Sequence, residues 1–433
     1  MPESIKGSNI LTVSRLFFLL VVIPLLLISS LIAFSIFQIG GISKTGAIVA
    51  LDKKSQQEIR VRSIDLAQSI ADFLRERQKD ILITTIFPAT PEAYKNFLDT
   101  RTQANWVKKD GGIVKEQLPL YGEMSLIDAY GNELIKIKDG KIMPKKDLVD
   151  VSNPANTTYK FEDYFLKTKE LNKGEVYISH VTGWYVNKAD FEKGKRFEGI
   201  IRIATPLFDK QGFTGVIALA LDVRHLARYT DNIIPTESEY VIEADASTGN
   251  YAYMVDNRGF VIAHPNDYHI AGLYKDGTPV PPITSANSEE MKKKGEEVLN
   301  LNQLGGIDPV LPEVEKEAAS GKSGIRTYKF EGHTKVVAYA PIPFYSNDYP
   351  RPGGFGWVGM GVDVEKFNEQ ANLTTAKIEK ETQVWLATVV LIIFVAMVIL
   401  FSIAAILARG INRSITSEVP PDAQSPPEYD DEE

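Results

Sequence analysis

Cysteine is absent from this 433-residue chain. Its absence excludes disulfide bonds, thiolate zinc sites, iron–sulfur clusters and cysteine nucleophiles. A large exported domain without disulfides depends on its own hydrophobic cores, which fits a bacterial envelope better than a small secreted scaffold.

Catalytic and metal-binding motifs are missing as well. The sequence has no phosphate-binding glycine loop, no metalloprotease helix motif and no nucleophile elbow. Its five histidines form no zinc pattern, since even His264 and His269 have a spacing that suits zinc poorly. We therefore predict a protein that is not an enzyme, with no catalytic residue, no cofactor and no metal site.

The net charge of −8 is concentrated most strongly at the acidic carboxyl terminus, which argues against a nucleic-acid partner. Apolar residues make up 44% of the chain, an ordinary share for folded protein. They accumulate near the two ends, whereas the middle has the composition of a soluble domain. This distribution suggests two membrane anchors around one globular insert.

Two uncharged segments are long enough to cross a membrane. Residues 16–43 give 28 consecutive uncharged positions and residues 382–408 give 27, whereas about 20 residues span the hydrocarbon core. The apolar region of a cleaved signal peptide has about 7 to 15 residues. We therefore interpret both segments as transmembrane helices.

Basic residues beside the two spans predict the orientation of the chain. Lys6 and Arg15 precede the first span, and Arg409 and Arg413 follow the second. Because basic residues favour the cytoplasmic side, both termini are expected in the cytoplasm of a bacterial inner-membrane protein. The domain between the spans would then be periplasmic or extracellular.

A long amphipathic helix is predicted after the first span, from about Ile48 to Phe87. It would extend about 60 Å and end before Pro88, which disfavours helix at the preceding residue. The apolar positions at helical spacing are Ile59, Leu66, Ile70, Phe73, Leu74 and Ile81. Such a helix would act as a stalk with one side facing a partner surface.

The following sequence contains a repeat. Segments 124–134 and 253–262 each have the pattern of a strand, a tight turn with glycine and a second strand. Nearly continuous apolar runs follow in the same order at 216–221 and 357–362, as expected for central strands covered on both faces. We infer two copies of one module, each an antiparallel sheet with helices packed on it.

This arrangement resembles the double Cache sensor family of bacterial chemoreceptors and sensor kinases. The resemblance covers about Lys44 to Lys380 and is most specific over residues 250–266, which are similar to the first hairpin of the membrane-proximal module. It implies an α+β fold with tandem PAS-like modules on a long N-terminal helix, flanked by two transmembrane helices. In that family the membrane-distal module usually carries the ligand and the proximal module transmits the signal.

Composition and resemblance together divide the chain into eight segments. They are a cytoplasmic tail (1–15), a transmembrane helix (16–43), a long stalk helix with its connection (44–117), a distal Cache module (118–234), a proximal Cache module (235–364), a connecting helix (365–381), a second transmembrane helix (382–408) and a short acidic disordered cytoplasmic tail (409–433).

A ligand site is expected in the distal module, where aromatic rings and polar groups are close in sequence. The candidates are Tyr164, Tyr177, Ser179, His180, Trp184, Tyr185, Arg202 and Asp222. Asp222 matches the acid that closes the last distal strand in amino-acid-binding members of the family. Their Arg-x-Trp-Tyr motif corresponds here to residues 161–164, which keep only Tyr164. The aromatics could instead be ordinary core and surface residues.

Two functions fit these observations. The chain could be a chemoreceptor-like sensor that binds an amine, amino acid or carboxylate and signals through its second transmembrane helix, as a homodimer. It could instead be a ligand-free adaptor in an envelope complex. Residues 409–416 look like the entry to a HAMP linker, and the 25 residues after Ala408 are too few for an output domain. We therefore expect either a truncated receptor or a subunit with a separate cytoplasmic partner.

The basic residues beside the spans generate a test of topology. Reporters fused at residue 5 and at residue 425 should both score as cytoplasmic, because both ends carry the basic flank. Reporter activity of one fusion outside the cytoplasm would overturn the predicted orientation.

Overall fold

The computed structural model describes residues 18–109, 112–237, 241–330 and 332–418. The tail predicted at 1–15 and the acidic residues from 419 onward lie outside the described residues. The chain divides into two compact units. One is Lys53–Asn368, and the other combines the segments on either side of it.

Eight α-helices occur in the described residues, the longest at the two ends. They are α1 (Ile23–Thr84), α2 (Pro91–Thr100), α3 (Tyr164–Lys169), α4 (Lys188–Glu192), α5 (Arg224–Asp231), α6 (Ser288–Lys294), α7 (Val310–Ala319) and α8 (Val364–Glu418). A π-helical turn, Phe18–Val22, precedes α1. Short 3-10 helices cover Lys145–Asp147, Pro154–Asn156, Ala246–Thr248, Asp267–His269 and Leu301–Gly306.

Fourteen strands in the described residues form three antiparallel sheets. They are β1 (Thr102–Lys109), β2 (Gly112–Pro119), β3 (Tyr121–Asp128), β4 (Glu133–Lys138), β5 (Lys141–Ile142), β6 (Tyr177–Ile178), β7 (Thr182–Gly183), β8 (Gly199–Phe208), β9 (Phe213–Asp222), β10 (Tyr251–Asp256), β11 (Val261–Ala263), β12 (Gly324–Phe330), β13 (His333–Ile342) and β14 (Gly356–Asp363). Strands β1 and β2 form a separate ribbon.

The unit at the chain ends contains two helical stretches that are long and apolar enough to cross a membrane. They are Leu20–Ile42, with a mean hydropathy of 2.7, and Asn372–Leu407, with a mean hydropathy of 3.3. Large apolar side chains such as Phe37 and Phe401 are exposed on these helices. Such surfaces are favourable in hydrocarbon and unfavourable in water.

Helix α1 carries the apolar stripe that the spacing predicts. Its six members, Ile59, Leu66, Ile70, Phe73, Leu74 and Ile81, are all buried. Ile70 and Leu74 share a continuous core with Leu219 of β9 and Met254 of β10, so α1 packs against both large sheets. The helix ends at Thr84, before Pro88 as predicted and three residues short of the expected Phe87. It begins at Ile23 and not near Ile48, so the predicted stalk helix and most of the first apolar segment are one continuous helix.

The two large sheets repeat one strand order, which confirms the predicted pair of PAS-like modules. In the module predicted to be distal, called the distal module below, the sheet has the order β5-β4-β3-β9-β8-β6, with β7 also paired to β8. In the module predicted to be proximal, called the proximal module below, the order is β11-β10-β14-β13-β12. Without β5 and β7, the two orders correspond strand by strand. The apolar runs predicted as central strands are β9 and β14, which lie inside their sheets with neighbours on both sides.

The repeat extends to individual hydrogen bonds in the first hairpin of each module. The Oδ1 atom of Asp128 accepts from the amides of Tyr130 and Asn132, at 2.8 and 2.9 Å. Asp256 accepts in the same way from Arg258 and Phe260, at 2.9 and 3.0 Å. An aspartate that satisfies amides two and four residues ahead fixes a tight turn. The two modules therefore share one turn chemistry.

Two glycines are required at equivalent positions of the repeat. Gly215 pairs with Asp128 and Gly356 pairs with Asp256, and their φ angles are +155° and +141°. A Cβ atom would lie 2.1 Å from the Ile127 carbonyl oxygen at Gly215, and 2.0 Å from the Val255 carbonyl oxygen at Gly356. Any side chain at these positions would force the central strand away from its neighbour.

We expect Gly215→Ala and Gly356→Ala each to destabilise the protein by at least about 2 kcal/mol, because backbone strain and a steric clash act together. Gly122→Ala is the matched control, since a Cβ there meets nothing within 4 Å. Thermal unfolding of the full chain in detergent should show a large loss for the first two variants and little for the third. Equal stability of all three would refute the requirement.

Candidate functional site

A cavity of about 400 Å³ lies between the two modules. On the distal side it is lined by α3 with the loop before it, and by β6, β7 and β8. On the proximal side it is lined by the β10–β11 turn, by residues 271–280 and by Asp348. The size and the mixed apolar and polar lining suit a small organic molecule.

The cavity brings together five of the eight predicted site residues. They are Tyr164, Tyr177, Ser179, His180 and Arg202. Trp184, Tyr185 and Asp222 do not line it. The five lining residues come from α3, β6 and β8 and from the residues just after β6, so the sheet edge and one helix bring together residues almost 40 positions apart in sequence.

Arg202 is the centre of a buried ion cluster at the wall of the cavity. Its Nε atom donates to Oε1 of Glu162 at 2.9 Å, and its Nη1 atom donates to Oε2 of Glu123 at 3.0 Å. Lys138 Nζ lies 3.0 Å from the other Glu123 oxygen. The guanidinium also stacks over the Tyr164 ring, 4.7 Å from its centroid.

The cluster favours the ionised forms of Arg202 and Glu123. Burial alone would lower the pKa of Arg202, but Glu162 and Glu123 hold it well above the usual range. Burial would raise the pKa of Glu123, yet Arg202, Lys136 and Lys138 lower it to about 2. Because both carboxylates already engage the guanidinium, Arg202 is not available to hold a ligand carboxylate through a two-point contact.

Ser179 and Tyr177 are also held by the protein. Ser179 Oγ accepts from the Arg202 amide at 2.8 Å and donates to the His180 carbonyl oxygen at 2.8 Å. Tyr177 Oη donates to Oδ1 of Asp163 at 3.2 Å. Burial raises the pKa of Tyr177, with Asp163 and Asp348 adding to the effect, so its hydroxyl stays a neutral donor.

His180 connects the distal module to the proximal module. Its Nε2 atom lies 2.9 Å from Oδ1 of Asn257, and Asn257 in turn donates to the Asp348 carbonyl oxygen at 2.8 Å. The ring packs edge-on against Tyr349. Burial lowers the pKa of His180 below its ordinary value, so the neutral ring is favoured at this junction.

Trp184 and Tyr185 join the modules outside the cavity. The Trp184 ring packs against Tyr159, at 5.1 Å between centroids, and Lys275 Nζ lies 4.7 Å from its centroid. Tyr185 Oη donates to the Tyr268 carbonyl oxygen at 2.9 Å and accepts from the Glu297 amide at 2.8 Å. Their aromatic character is used in packing between modules.

Asp222 is engaged locally at the end of β9. Its Oδ1 atom accepts from the Arg224 amide at 2.9 Å, and the Arg224 guanidinium lies 2.5 Å from Oδ2. The carboxylate therefore has a backbone and a side-chain partner at the start of α5. The structure gives Asp222 a partner within the chain, as an acid at the end of an apolar strand requires.

Sequence reasoning missed the acids that surround the cavity. On β3, Glu123 and Ser125 alternate with the apolar residues Met124 and Leu126, and all four are buried. That alternation was an available signal of a polar surface inside the module. Glu162 and Asp163 lie in the segment that was compared with the family motif, where the comparison drew attention only to the lost arginine and the retained Tyr164.

A second cavity, of about 570 Å³, lies between α5 and the proximal residues 262–270. Burial raises the pKa of Asp231 to about 7, with Asp267 adding to the effect, and raises the pKa of Asp267 itself to about 6. Glu243 raises both pKa values and Arg196 lowers both. In the part of the chain that the structure describes, no group of three or more His, Asp or Glu residues has the arrangement of a metal site.

Comparison with known proteins gives a family and a set of similar folds. The family model described as "Cache domain" (dCache_1) matches residues 49–391. Solved structures that resemble the chain include the ligand-binding domain of Mlp24 with asparagine, at 16% identity and a TM-score of 0.38, covering 76% of this chain and 99% of that chain. A search of curated proteins gives no significant match.

Two further similar structures come from Pseudomonas chemoreceptors. The ligand-binding domain of CtaA from Pseudomonas fluorescens with L-leucine has 15% identity and a TM-score of 0.38, covering 73% of this chain and 98% of that one. The ligand-binding domain of PctB from Pseudomonas aeruginosa PAO1 with L-Gln also has 15% identity and a TM-score of 0.38, covering 76% and 97%.

Asp231 generates a prediction about pH. Because its pKa is raised in the folded state, its protonated form stabilises the fold fully below about pH 4, and this stabilisation is lost as the pH rises through about 7. Asp231→Asn imitates the protonated acid. We expect it to match the parent below about pH 4 and to exceed the stability of the parent increasingly up to about pH 7.

Thermal unfolding of the full chain between about pH 4 and pH 8 measures this effect. Asp147→Asn, at an exposed position, is the control and should keep the pH dependence of the parent. An unchanged pH dependence in Asp231→Asn would show that this carboxyl does not titrate in the predicted range.

Proposed function

Because the chain belongs to the Cache domain family, we propose that it is a membrane-anchored extracytoplasmic sensor that binds a small molecule in the cavity between its modules. The observation that carries the proposal is the composition of that cavity: five residues expected to form a ligand site line it, and the opposite wall comes from the other module. A ligand there would contact both modules at once.

The charge around the cavity favours a ligand with an ammonium group. Arg202 is engaged by two glutamates, and Arg258 is paired with Asp256 at 2.7 Å. Among the lining residues described, Asp163 and Asp348 have no basic partner, whereas Lys167 is the base without an acidic one. The remaining balance is negative, which suits an amine or a zwitterionic amino acid better than a simple carboxylate.

Aromatic side chains support the same ligand class. Tyr164, Tyr177, Phe161 and Phe260 all line the cavity. The faces of such rings attract an organic cation, by about 0.5–1 kcal/mol at exposed sites and by about 2 kcal/mol when the cation is desolvated. A cation between these rings and the two aspartates would combine stacking with charge-assisted hydrogen bonds.

The link between His180 and Asn257 suggests how binding would reach the proximal module. A ligand that favours one arrangement of this junction over another would shift the balance between two states of the sensor. The proximal sheet ends at Asp363, and α8 begins at the next residue and contains the second apolar stretch. In the proposed mechanism a change in the proximal module passes through α8 to a cytoplasmic partner.

The proposed assembly is a two-pass membrane protein with both termini cytoplasmic that acts as a homodimer through α1. Val61, Ile64 and Ile83 are exposed apolar residues on the part of this helix that follows its first apolar stretch. Exposed apolar residues along one helix suit contact with a second copy of the same helix. The alternative, a ligand-free adaptor, predicts that no small molecule stabilises the chain.

A thermal-shift screen of the full chain in detergent tests the sensor function. Alkylamines, diamines, amino acids and dicarboxylates would be compared, and we expect stabilisation by an amine or an amino acid. A ligand at about 100 times its dissociation constant adds about 2.7 kcal/mol. If no compound in any class shifts the unfolding temperature, the adaptor function replaces the sensor function.

Paired variants then locate the site. The double variant Asp163→Asn/Asp348→Asn keeps the shape of the cavity and removes both carboxylates, so the affinity for the confirmed ligand should fall about tenfold to a hundredfold. Asp222→Asn makes the same chemical change outside the cavity and should change affinity less than about twofold. The reverse ranking would assign ligand binding to the acid that closes β9.

A further inference from the structure

One surface of the proximal sheet corresponds to the surface of the distal sheet beside the cavity between the modules. Asp128 and Asp256 hold equivalent turns, and each pairs with the glycine of its central strand. Counting five residues back from each aspartate makes Tyr251 the equivalent of Glu123. The last strands end at Asp222 and Asp363, whose partners in the preceding strand are Ile200 and Lys335. An isoleucine in the distal module therefore corresponds to a lysine in the proximal one.

Lys335 is buried, although it carries a charged group, with 1% of its surface exposed. Its Nζ atom donates to Tyr251 Oη at 2.7 Å. The same atom lies 4.2 Å from the centroid of the Tyr251 ring and 5.5 Å from the centroid of the Phe330 ring. Hydrogen bonding and ring faces together form an aromatic cage around the ammonium group, which is a known way of holding organic cations.

A neighbouring imidazole does not compete for the positive charge. The His264 ring packs edge-on against Tyr251, at 4.7 Å between centroids. Burial lowers the pKa of His264 well below its ordinary value, and His269 and Lys335 add to the effect. Space left beside the cage amounts to about 30 Å³, which is about the volume of one water molecule. An external organic cation therefore has no room while Lys335 is in place.

We propose that the aromatic cage of the proximal module is a cation-binding site for a primary alkylammonium ion, and that Lys335 fills it from within the chain as a tethered ligand. The lysine supplies the ammonium group and the alkyl chain that a diffusing amine would otherwise provide. The site inside the proximal module is then held permanently in a ligand-filled state, and uptake of external ligand is confined to the cavity between the modules.

Lys335→Ala tests the proposal because it deletes the atoms of one n-propylammonium ion. The full-length variant in detergent should unfold several degrees below the parent, and n-propylammonium chloride should restore part of the loss. Propan-1-ol, which has the same chain without the charge, should restore much less. The parent and Lys329→Ala, a matched lysine control at an exposed position of β12, report any response to n-propylammonium that comes from the cavity between the modules, and Lys335→Ala should gain more than either of them.

The other possible results with these variants also support or overturn the proposed cation site. Equal recovery with propan-1-ol would show that the site selects an alkyl chain and not a cation, which overturns the proposal. If Lys335→Ala does not fold alone, folding during expression with n-propylammonium but not with propan-1-ol supports the cage, and failure with both refutes it. Lys335→Met fills the cage without charge and should respond to the amine no more than the parent does, so a gain as large as that of Lys335→Ala would place the extra amine binding elsewhere.

Discussion

The buried contact between Arg202, Glu123 and Glu162 is the constraint on which the ligand cavity depends. Its members come from β8, from β3 and from the loop before α3, and the two hydrogen bonds close sequence separations of 79 and 40 residues. Removing one partner of such a buried pair leaves an uncompensated charge and typically costs about 3–5 kcal/mol. The loop that carries the cavity wall is therefore fixed to the sheet.

Other features of the cavity follow from this cluster. Tyr164 stacks on the guanidinium, and Ser179 bonds to the Arg202 amide, so both positions are set by where Arg202 lies. In the proposed sensor a ligand would meet a wall that is already assembled and neutralised, which reduces the ordering cost of binding. Its selectivity would then depend on the acids that the cluster does not use, Asp163 and Asp348. A buried arginine at the wall of such a cavity is consequently not evidence for a carboxylate ligand.

The sequence predicted what short-range patterns encode. The apolar stripe of α1, the two hairpins, the central strands β9 and β14, and the α+β fold with paired modules were all recoverable, because periods of 3.6 and 2 and turn residues are local signals. Five lining residues of the cavity were also named, four of them close together in the chain from Tyr164 to His180 and the fifth, Arg202, on a following strand. Asp222 was selected on family resemblance, and its contact with Arg224, two residues away, could have been considered from the sequence.

The ion cluster was not predictable in the same way, because no period relates Glu123 to Arg202. Comparison of the two modules shows why side-chain clusters are harder to predict than turns and strands. Both modules keep the turn aspartate and the strand glycine, which the backbone requires, yet Glu123 is replaced by Tyr251 and Ile200 by Lys335 at equivalent places. Backbone geometry restricts the turn position to aspartate and the strand position to glycine. A buried cation, in contrast, can be stabilised by carboxylates or by ring faces. Two copies of one fold can therefore place different side chains next to an internal cation, two glutamates beside Arg202 and two aromatic rings beside Lys335, in positions that the fold leaves undetermined.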